Sequence, residues 1–582
     1  MAMEFLHFQC SANYVPLTPI NFLERAALVY ARKTSVIYGT LRFSWRQTHQ
    51  ICLKLASALS QLKISRGDIV AALAPNIPAL YMLHFAVPMA GAVLSALNTK
   101  LDSATLALIL EQLEAKIIFV DYEFVEAVVK ALNILSEKGV KLPLLVAIPE
   151  CDHALTSSIA SNFPSGSLDY NALLEMGKHD FETVQPENEC DPISVNFTSG
   201  STGNPKGVVY SHRAAYLNCL AQIYRCDLGE MPVFLWTVDM FRCNGWCCTW
   251  AMAAVGGTNI CLRAVSGTII FHSIHLHSVT HLCGPPTILN MIANAPDCDR
   301  KPLQSKVDVV VAGSLPIRQV LEQVVELGFI IGHAYGMTEM LGPAIVRHWK
   351  PEWDYSSSVE HEMIKHRKGL NNLLIQGVDV KDPDTMKSVS YDGKTVGEVM
   401  FRANTSMLGY FKNPKATKEA FRNGWYQTGD LAVRNRDGHI QLKDRKKDII
   451  VSGGEIMSSL EVEAVLLCNP KISEAAVVGK PDEELKQVPC AFVKLKEGCS
   501  ASAEEIFKFC GDELPSFMVP RAIVFGDIPL NSTGKVQKFI LREKAKAIVG
   551  AISDQNLKDS AFKCMHCHGT TEAPIPERHS FQ

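Results

Sequence analysis

Apolar runs with strand character recur along the chain, at Asp68–Leu73, Lys116–Val120, Leu144–Ile148, Ser194–Phe197, Val307–Val311 and Ala475–Val478. Between them lie helix-length stretches whose apolar residues return every three or four positions, such as Thr48–Leu62 and Thr105–Glu114. Strands alternating with helices predict an α/β architecture with largely parallel sheets. Over Gly393–Leu442 the texture changes to short runs separated by the turn dipeptides Asn423-Gly424 and Asp437-Gly438. That pattern predicts a small β-rich, barrel-like module. After Asp444 the chain turns basic and then glycine-rich (DRKKDIIVSGGE), and strands and helices alternate again to about Lys546. A large N-terminal domain over 1–443 and a small mobile α+β domain over 444–550 are expected. The polar stretch 551–582, with no apolar period, reads as a mobile tail.

Composition narrows this picture little. At 582 residues the chain is too long for one ordinary domain. With 47% hydrophobic and 20% charged residues and a mean hydropathy of +0.07, it has a soluble globular profile. A net charge of −3 gives no sign of a nucleic-acid or membrane-surface binder. No uncharged apolar run reaches the roughly 18 residues of a membrane span. The 18 cysteines are scattered, and Cys247 and Cys248 are adjacent, so reduced thiols are expected. The start, MAMEFLHFQC, has no basic segment of a signal peptide, and the end, ERHSFQ, lacks a Ser-Lys-Leu type address. A cytoplasmic location is the expectation.

The sharpest local feature is Thr198-Ser199-Gly200-Ser201-Thr202-Gly203-Asn204-Pro205-Lys206-Gly207, between two apolar runs. Glycines and hydroxyls concentrated between two strands leave N–H and O–H donors free to wrap a polyphosphate, and Lys206 adds positive charge. Pro205 before Lys206 departs from the Walker A pattern. Alone, such a loop is as readily a flexible polar turn. Three distant features change the weighting. Tyr335-Gly336-Met337-Thr338-Glu339 offers an aromatic face, a hydroxyl and a carboxylate suited to Mg²⁺. Thr428-Gly429-Asp430 sets a carboxylate after a turn, suited to paired ribose hydroxyls. Ser532-Thr533-Gly534-Lys535 places a lysine on a glycine turn.

In this order these features resemble the adenylate-forming superfamily of acyl–CoA synthetases, luciferases and peptide-synthetase adenylation domains. The resemblance runs from about Asn13 to Lys546. It includes Leu73-Ala74-Pro75-Asn76, Cys283-Gly284-Pro285-Pro286-Thr287, Gly313-Ser314-Leu315-Pro316 and Asp444-Arg445-Lys446-Lys447-Asp448. The stretches SANYVPLTPINFLERAA, VPMAGAVLSALNT and NGWCCTWAMAAVGGTN are similar to plant acyl-activating enzymes. Those relatives of 4-coumarate–CoA ligases act on short-chain, branched, fatty or benzoate-type acids.

The resemblance implies an ATP- and Mg²⁺-dependent ligase that adenylates a carboxylic acid, releases pyrophosphate, and passes the acyl group to CoA with release of AMP. It assigns Thr198–Lys206 to the β/γ-phosphates, Thr338 to the α-phosphate and Glu339 to the metal. Asp430 and Arg445 go to the ribose, Tyr335 with Gly336 to the adenine, and Gly313, Ser314 and Leu315 to the nucleotide pocket. Lys535 would bridge the acyl carboxylate and the α-phosphate. Lys447 falls at the hinge position, and Ser452, Gly453 and Gly454 would approach the pantetheine arm. Phe241, Arg242, Trp246 and Cys247 would line the acyl pocket, and Trp246 favours a short, branched or medium-chain aliphatic acid over an aromatic one.

One departure matters. Where the superfamily has Pro-Met-Phe-His, this chain has Asp239-Met240-Phe241-Arg242. The permanent guanidinium has three readings: pairing with Asp239, binding a second substrate carboxylate, or impairing turnover. The last leaves a nucleotide-binding paralogue as the alternative to an active ligase. A third class, an enzyme adenylating an acid for an amine or carrier thiol, is also open. The cluster His272, His275, His277 and His281 reads as structural, with His277 and His281 spaced to share a helix face. His361–His366 has one residue too many for a zinc-protease helix, and Cys564-Met565-His566-Cys567-His568 matches a haem-attachment pattern in a tail without a haem-sized domain.

Overall fold

The computed structural model describes residues 12–150, 164, 166–198, 205–313, 318–348, 367–368, 373–530 and 535–548. The histidine-flanked segment 361–366 and the cysteine- and histidine-bearing tail lie outside the described residues. The chain divides into two units: Met1–Lys447 with Leu530–Lys535, and Asp448–Pro529 with Val536–Gln582.

The first unit holds three sheets. One eight-stranded sheet runs Gly342–His348, Phe329–Met337, Val307–Ala312, His281–Gly284, Val233–Leu235, Thr258–Ile260, Thr34–Tyr38, Leu41–Ser44. A second runs Gly409–Tyr410, Lys206–Ser211, Pro192–Thr198, Val93–Ala96, Ile69–Leu73, Ile117–Asp121, Leu144–Ile148, Leu168–Asp169. Both are parallel inside and antiparallel at an edge. The third is antiparallel, built from Arg367–Lys368, Ile440–Arg445, Trp425–Arg434, Val396–Arg402 and Gly377–Lys381. One of its turns is Asn423-Gly424, which joins Arg422 to Trp425 with φ +50° and +76°. Two residues at positive φ match the right-handed strand twist, as the Asn-Gly dipeptide predicts.

Side chains set several boundaries that periodicity misses. The helix expected from Thr48 begins at Trp45, because Ser44 and Gln47 form a reciprocal cap. The strand expected from Asp68 begins at Ile69, because the Asp68 carboxylate accepts the Ser65 N–H at 2.7 Å in the preceding turn. The helix Pro78–Met89 is buried on every side. A helix with no polar face has no 3.6-residue signature. The second unit has its own sheet, with Lys486–Leu495 between Ile472–Asp482, Ile450–Ser452 and Ala522–Phe525, and its own apolar core around Val477, Val493 and Ile506.

Candidate active site

The glycine- and hydroxyl-rich loop is flanked by two paired strands. Thr198 and Lys206 face each other across antiparallel strands, and Ser199, Gly200, Ser201, Thr202 and Gly203 lie outside the described residues. The Lys206 ammonium sits 4.9 Å above the ring of Tyr410. Tyr410 belongs to a two-residue strand added beside Lys206–Ser211. Its hydroxyl donates to Glu339 Oε1 at 2.9 Å.

Glu339 lies in the short turn after the strand Phe329–Met337. That turn is fixed from two sides: Tyr210 donates its hydroxyl to the Thr338 carbonyl at 2.6 Å, and the Met407 N–H reaches the Glu339 carbonyl at 2.9 Å. Burial, reinforced by the Glu339 charge, pushes the Tyr410 and Tyr426 hydroxyls well above the usual phenol range. Both therefore remain protonated at neutral pH. Gly336 is required sterically, since a Cβ there would stand 2.1 Å from the Gly342 carbonyl. Gly313 has φ +108° with open space beside it; Ser314 and Leu315 lie outside the described residues.

Tyr335 connects this turn to the antiparallel sheet. Its ring stacks on Phe401 with centroids 6.0 Å apart, and its hydroxyl donates to Asp430 Oδ2 at 2.8 Å. Asp430 faces Arg445 on the neighbouring strand, with Oδ1 3.5 Å from Nε. The approach to Asp430 is set by Gly429 at φ +74°, whose N–H donates to Glu398 at 2.8 Å. Burial raises the Asp430 carboxyl above the usual range, opposed by Arg445, the Tyr335 hydroxyl and Lys535. Lys535 groups with this first unit. The protein packed around it, then the charges of Arg445 and Arg242, lower its pKa, while Asp430 opposes. The residue nevertheless stays solvent-exposed, so water screens part of that lowering. Tyr335, Asp430, Arg445 and Lys535 thus share one electrostatic neighbourhood.

The segment carrying Phe241 and Arg242 is held by Asn76. Its amide donates to the carbonyls of Trp236 and Val238 and accepts the Met240 N–H at 2.8 Å. Arg242 pairs with Asp239 at 2.8 Å and lies over the Phe241 ring. Directly after it, Cys243, Asn244, Gly245, Trp246 and Cys247 all have positive φ, between +46° and +63°. Left-handed backbone costs a non-glycine residue about 1–2 kcal/mol, so such a run persists only where its surroundings over-determine it. Here the Asn244 N–H donates to Asn196 at 2.7 Å, Ser194 donates to the Asn244 side chain at 2.7 Å, and Thr249 donates to the Asn244 carbonyl at 3.0 Å. Trp246 and Cys247 are buried.

Other expectations find local explanations. Ser452 ends a strand, and Gly453 and Gly454, at φ +58° and +90°, form the two-residue turn to Glu455–Met457. These glycines are required by the hairpin itself. Lys447 is the last residue of the first unit before Asp448, which pairs with Arg542 in the second. His277 and His281 do not share a helix: the helix closes at His277, and Ser278 at φ +52° turns the chain so that His281 opens a strand. There it faces Asp308. Among the described residues no group of three or more His, Cys, Asp or Glu side chains is arranged to hold a metal ion by itself. Glu339 does suit a cation shared with phosphates. It is half-buried, and Tyr410 is the hydrogen-bond donor shown to its carboxylate, so an oxygen ligand of the kind Mg²⁺ prefers remains available.

Sequence reading missed Tyr410, Tyr426, Asn196, Asn218 and Gln222. None sits in a glycine-rich or charged motif, and each acts only through a neighbour distant in the chain.

The family model for AMP-binding enzymes matches residues 23–411, and that for the AMP-binding enzyme C-terminal domain matches 461–535. The chain belongs to the AMP-binding enzyme family, as an AMP-forming acid–thiol ligase. Its relatives include "Probable acyl-activating enzyme 21" of Arabidopsis thaliana, 48% identical over 92% of this chain and 97% of the relative. "Acetate--CoA ligase CCL3" of Humulus lupulus is 45% identical over 94% and 98%. Among solved structures, the anthranilate CoA ligase AuaEII in complex with anthranoyl-AMP superposes with a TM-score of 0.79 at 23% identity, covering 93% of this chain and all of that one.

The expected cytoplasmic location is corrected. Relatives named as butyrate, trans-cinnamate and benzoate CoA ligases, and a probable acyl-activating enzyme 5, are peroxisomal, which points away from it. That expectation rested on the want of a Ser-Lys-Leu type ending, one address pattern among those that receptors read. Among the described residues no helix is long and apolar enough to cross a membrane.

Proposed function

We propose that this acid–thiol ligase activates a short, branched or medium-chain aliphatic acid with ATP and transfers it to CoA. The observation that carries the reading is the neighbourhood of Lys535, Asp430, Arg445 and Tyr335 beside the Thr338–Glu339 turn. Asp430 and Arg445 hold the ribose, and Tyr335 with Gly336 borders the adenine. Thr198, Lys206 and the loop between them take the β- and γ-phosphates. Thr338 orients the α-phosphate, and Glu339 holds Mg²⁺, which supplies charge neutralisation on the phosphate oxygens. Lys535 donates to the oxygens shared by the acyl carboxylate and the α-phosphate, where negative charge builds as pyrophosphate leaves. Domains over 1–443 and 444–550, with Lys447 as hinge, would separate this step from thioester formation, and Ser452, Gly453 and Gly454 would meet the pantetheine arm.

The Arg242–Asp239 pair supports an active enzyme over a silent paralogue, because the guanidinium already has a counter-charge within its own turn. Preference for a small aliphatic acid rests on the buried Trp246 and on relatives named as acetate, butyrate and 2-methylpropanoate CoA ligases. Relatives named for benzoate and cinnamate keep the aromatic reading as the alternative outcome.

The test incubates the protein with ATP, Mg²⁺, CoA and a panel of acids, followed by mass spectrometry. Acyl–CoA and AMP in equal amounts, highest with acids of about two to six carbons, are expected. Best turnover with benzoate or cinnamate overturns the aliphatic preference. Acid-dependent AMP that is indifferent to CoA overturns CoA as acceptor.

A further inference from the structure

The helix His212–Arg225 carries three buried polar side chains on one face: Asn218, Gln222 and Arg225, four and three residues apart. Burying an amide or a guanidinium is costly unless each donor finds an acceptor, and here the acceptors lie on two separate chain segments. Gln222 donates to the Trp246 carbonyl at 2.7 Å, and Asn218 contacts the Cys247 sulfur at 3.4 Å. The same Asn218 amide donates to the Leu341 carbonyl at 2.7 Å, and Arg225 donates to the Pro343 carbonyl. Arg225 also donates to the Asn218 amide oxygen at 2.7 Å, which fixes that amide's orientation. One helix face therefore holds both the left-handed turn after Arg242 and the turn that follows Thr338–Glu339.

Both turns are left-handed where they are held: Trp246 and Cys247 on one side, Leu341 at φ +59° and Gly342 at φ +102° on the other. They also lie side by side: a Cβ added to Gly342 would stand 3.3–3.4 Å from three atoms of Trp246, so only a glycine fits there without displacing the neighbouring turn. Gln222 and Trp246 also border a small cavity with Cys226, Cys248 and Cys283.

We propose that Asn218, Gln222 and Arg225 are positioning residues that lock the acyl-side turn to the nucleotide-side turn and so set which acids the enzyme accepts. The selectivity part rests on the ligase reading above; the coupling of the two turns does not. None of the three reaches a reacting atom. Their effect passes through Trp246 and through the turn bearing Thr338 and Glu339.

Gln222→Met keeps the volume and removes the donor. Two measurements follow. Hydrogen exchange at the Trp246, Cys247 and Leu341 amides reports the coupling without any turnover. Faster exchange at all three is expected, although within the two turns Gln222 hydrogen-bonds only to Trp246. Acceleration confined to Trp246 and Cys247, or none, overturns the coupling. The ratio of kcat/KM for the preferred acid to that for an acid two methylenes longer reports selectivity. It is expected to fall about tenfold, with KM for ATP changed less than about threefold. An equal loss for every acid marks a merely structural role and overturns the proposal. Should Gln222→Met fail to fold, Gln222→Asn retains the amide one methylene short of Trp246 and is read the same way. If the wild-type protein forms no acyl–CoA from any acid, the ligase reading fails, and the exchange experiment still decides the coupling.

Discussion

Arg242 Nε stands 2.8 Å from the Asp239 carboxylate, three residues earlier in the chain. The pair is partly solvent-exposed, so its stabilising contribution is modest, about 0.2–1 kcal/mol. Its consequence is electrostatic: the Arg242 charge contributes to lowering the Lys535 pKa. If adenylation needs protonated Lys535, activity is lost as pH rises through that lowered value. Arg242→Gln removes a depressing charge and moves the alkaline limb of AMP formation to higher pH. Asp239→Asn leaves Arg242 uncompensated and moves it to lower pH. Rate profiles from pH 7 to 10 check both signs, and an unmoved limb in both variants removes Lys535 from that role.

Asp430 gives the opposite limb. Its carboxyl is raised by burial and held down by Arg445 and the Tyr335 hydroxyl. If the ionised Asp430 accepts the ribose hydroxyls, as proposed, activity falls as pH drops through its raised value. Tyr335→Phe deletes a hydrogen bond that favours the ionised form and shifts this acid limb upward. Asp430→Asn is expected to raise KM for ATP at least about tenfold, the scale of one lost charge-assisted bond. Initial rates against ATP at pH 5 to 8 report both effects.

Tyr410→Phe removes the donor to Glu339. A hydrogen bond to a charged group contributes about 1.5–3 kcal/mol, or roughly ten- to a hundredfold. The freed carboxylate loses its orientation. The Mg²⁺ concentration giving half-maximal ATP–pyrophosphate exchange is expected to rise by about tenfold. Chelating the metal with EDTA is expected to abolish exchange in the wild type, and restoring Mg²⁺ to recover it. A Tyr410→Phe enzyme with an unchanged Mg²⁺ requirement removes Glu339 orientation from the mechanism.

Gly245→Ala addresses the left-handed turn. Its Cβ would stand 2.6 Å from the buried Trp236 ring, at φ +58°. Overpacking alone costs typically about 1–3 kcal/mol, and the backbone strain adds to it. Urea unfolding is expected to show a loss of at least about 2 kcal/mol. A neutral outcome means the ring and turn relax together.

The polar and glycine-bearing motifs were legible because their residue types have few structural uses at such spacings. Thr338-Glu339, Asp430, Lys535 and the Asn423-Gly424 hairpin are of this kind. Strand centres such as Leu144–Ile148 were legible because an apolar run between turns has one stable place in an α/β fold. The helix Pro78–Met89 escaped, because burial on all sides erases the periodicity that marks a helix.

What the sequence by itself determined is the fold class and the enzyme family. Each is written in local patterns that survive without neighbours. Tertiary structure alone decided that Tyr410 serves Glu339, that Tyr335 serves Asp430, and that Arg242 answers Asp239. It also decided that Cys243–Cys247 wind left-handed on a bed of buried amides. A left-handed run is unfavourable in isolation, and an amide such as Gln222 has no preferred partner along its own helix. Only the packing of segments more than twenty residues apart makes both choices the stable ones.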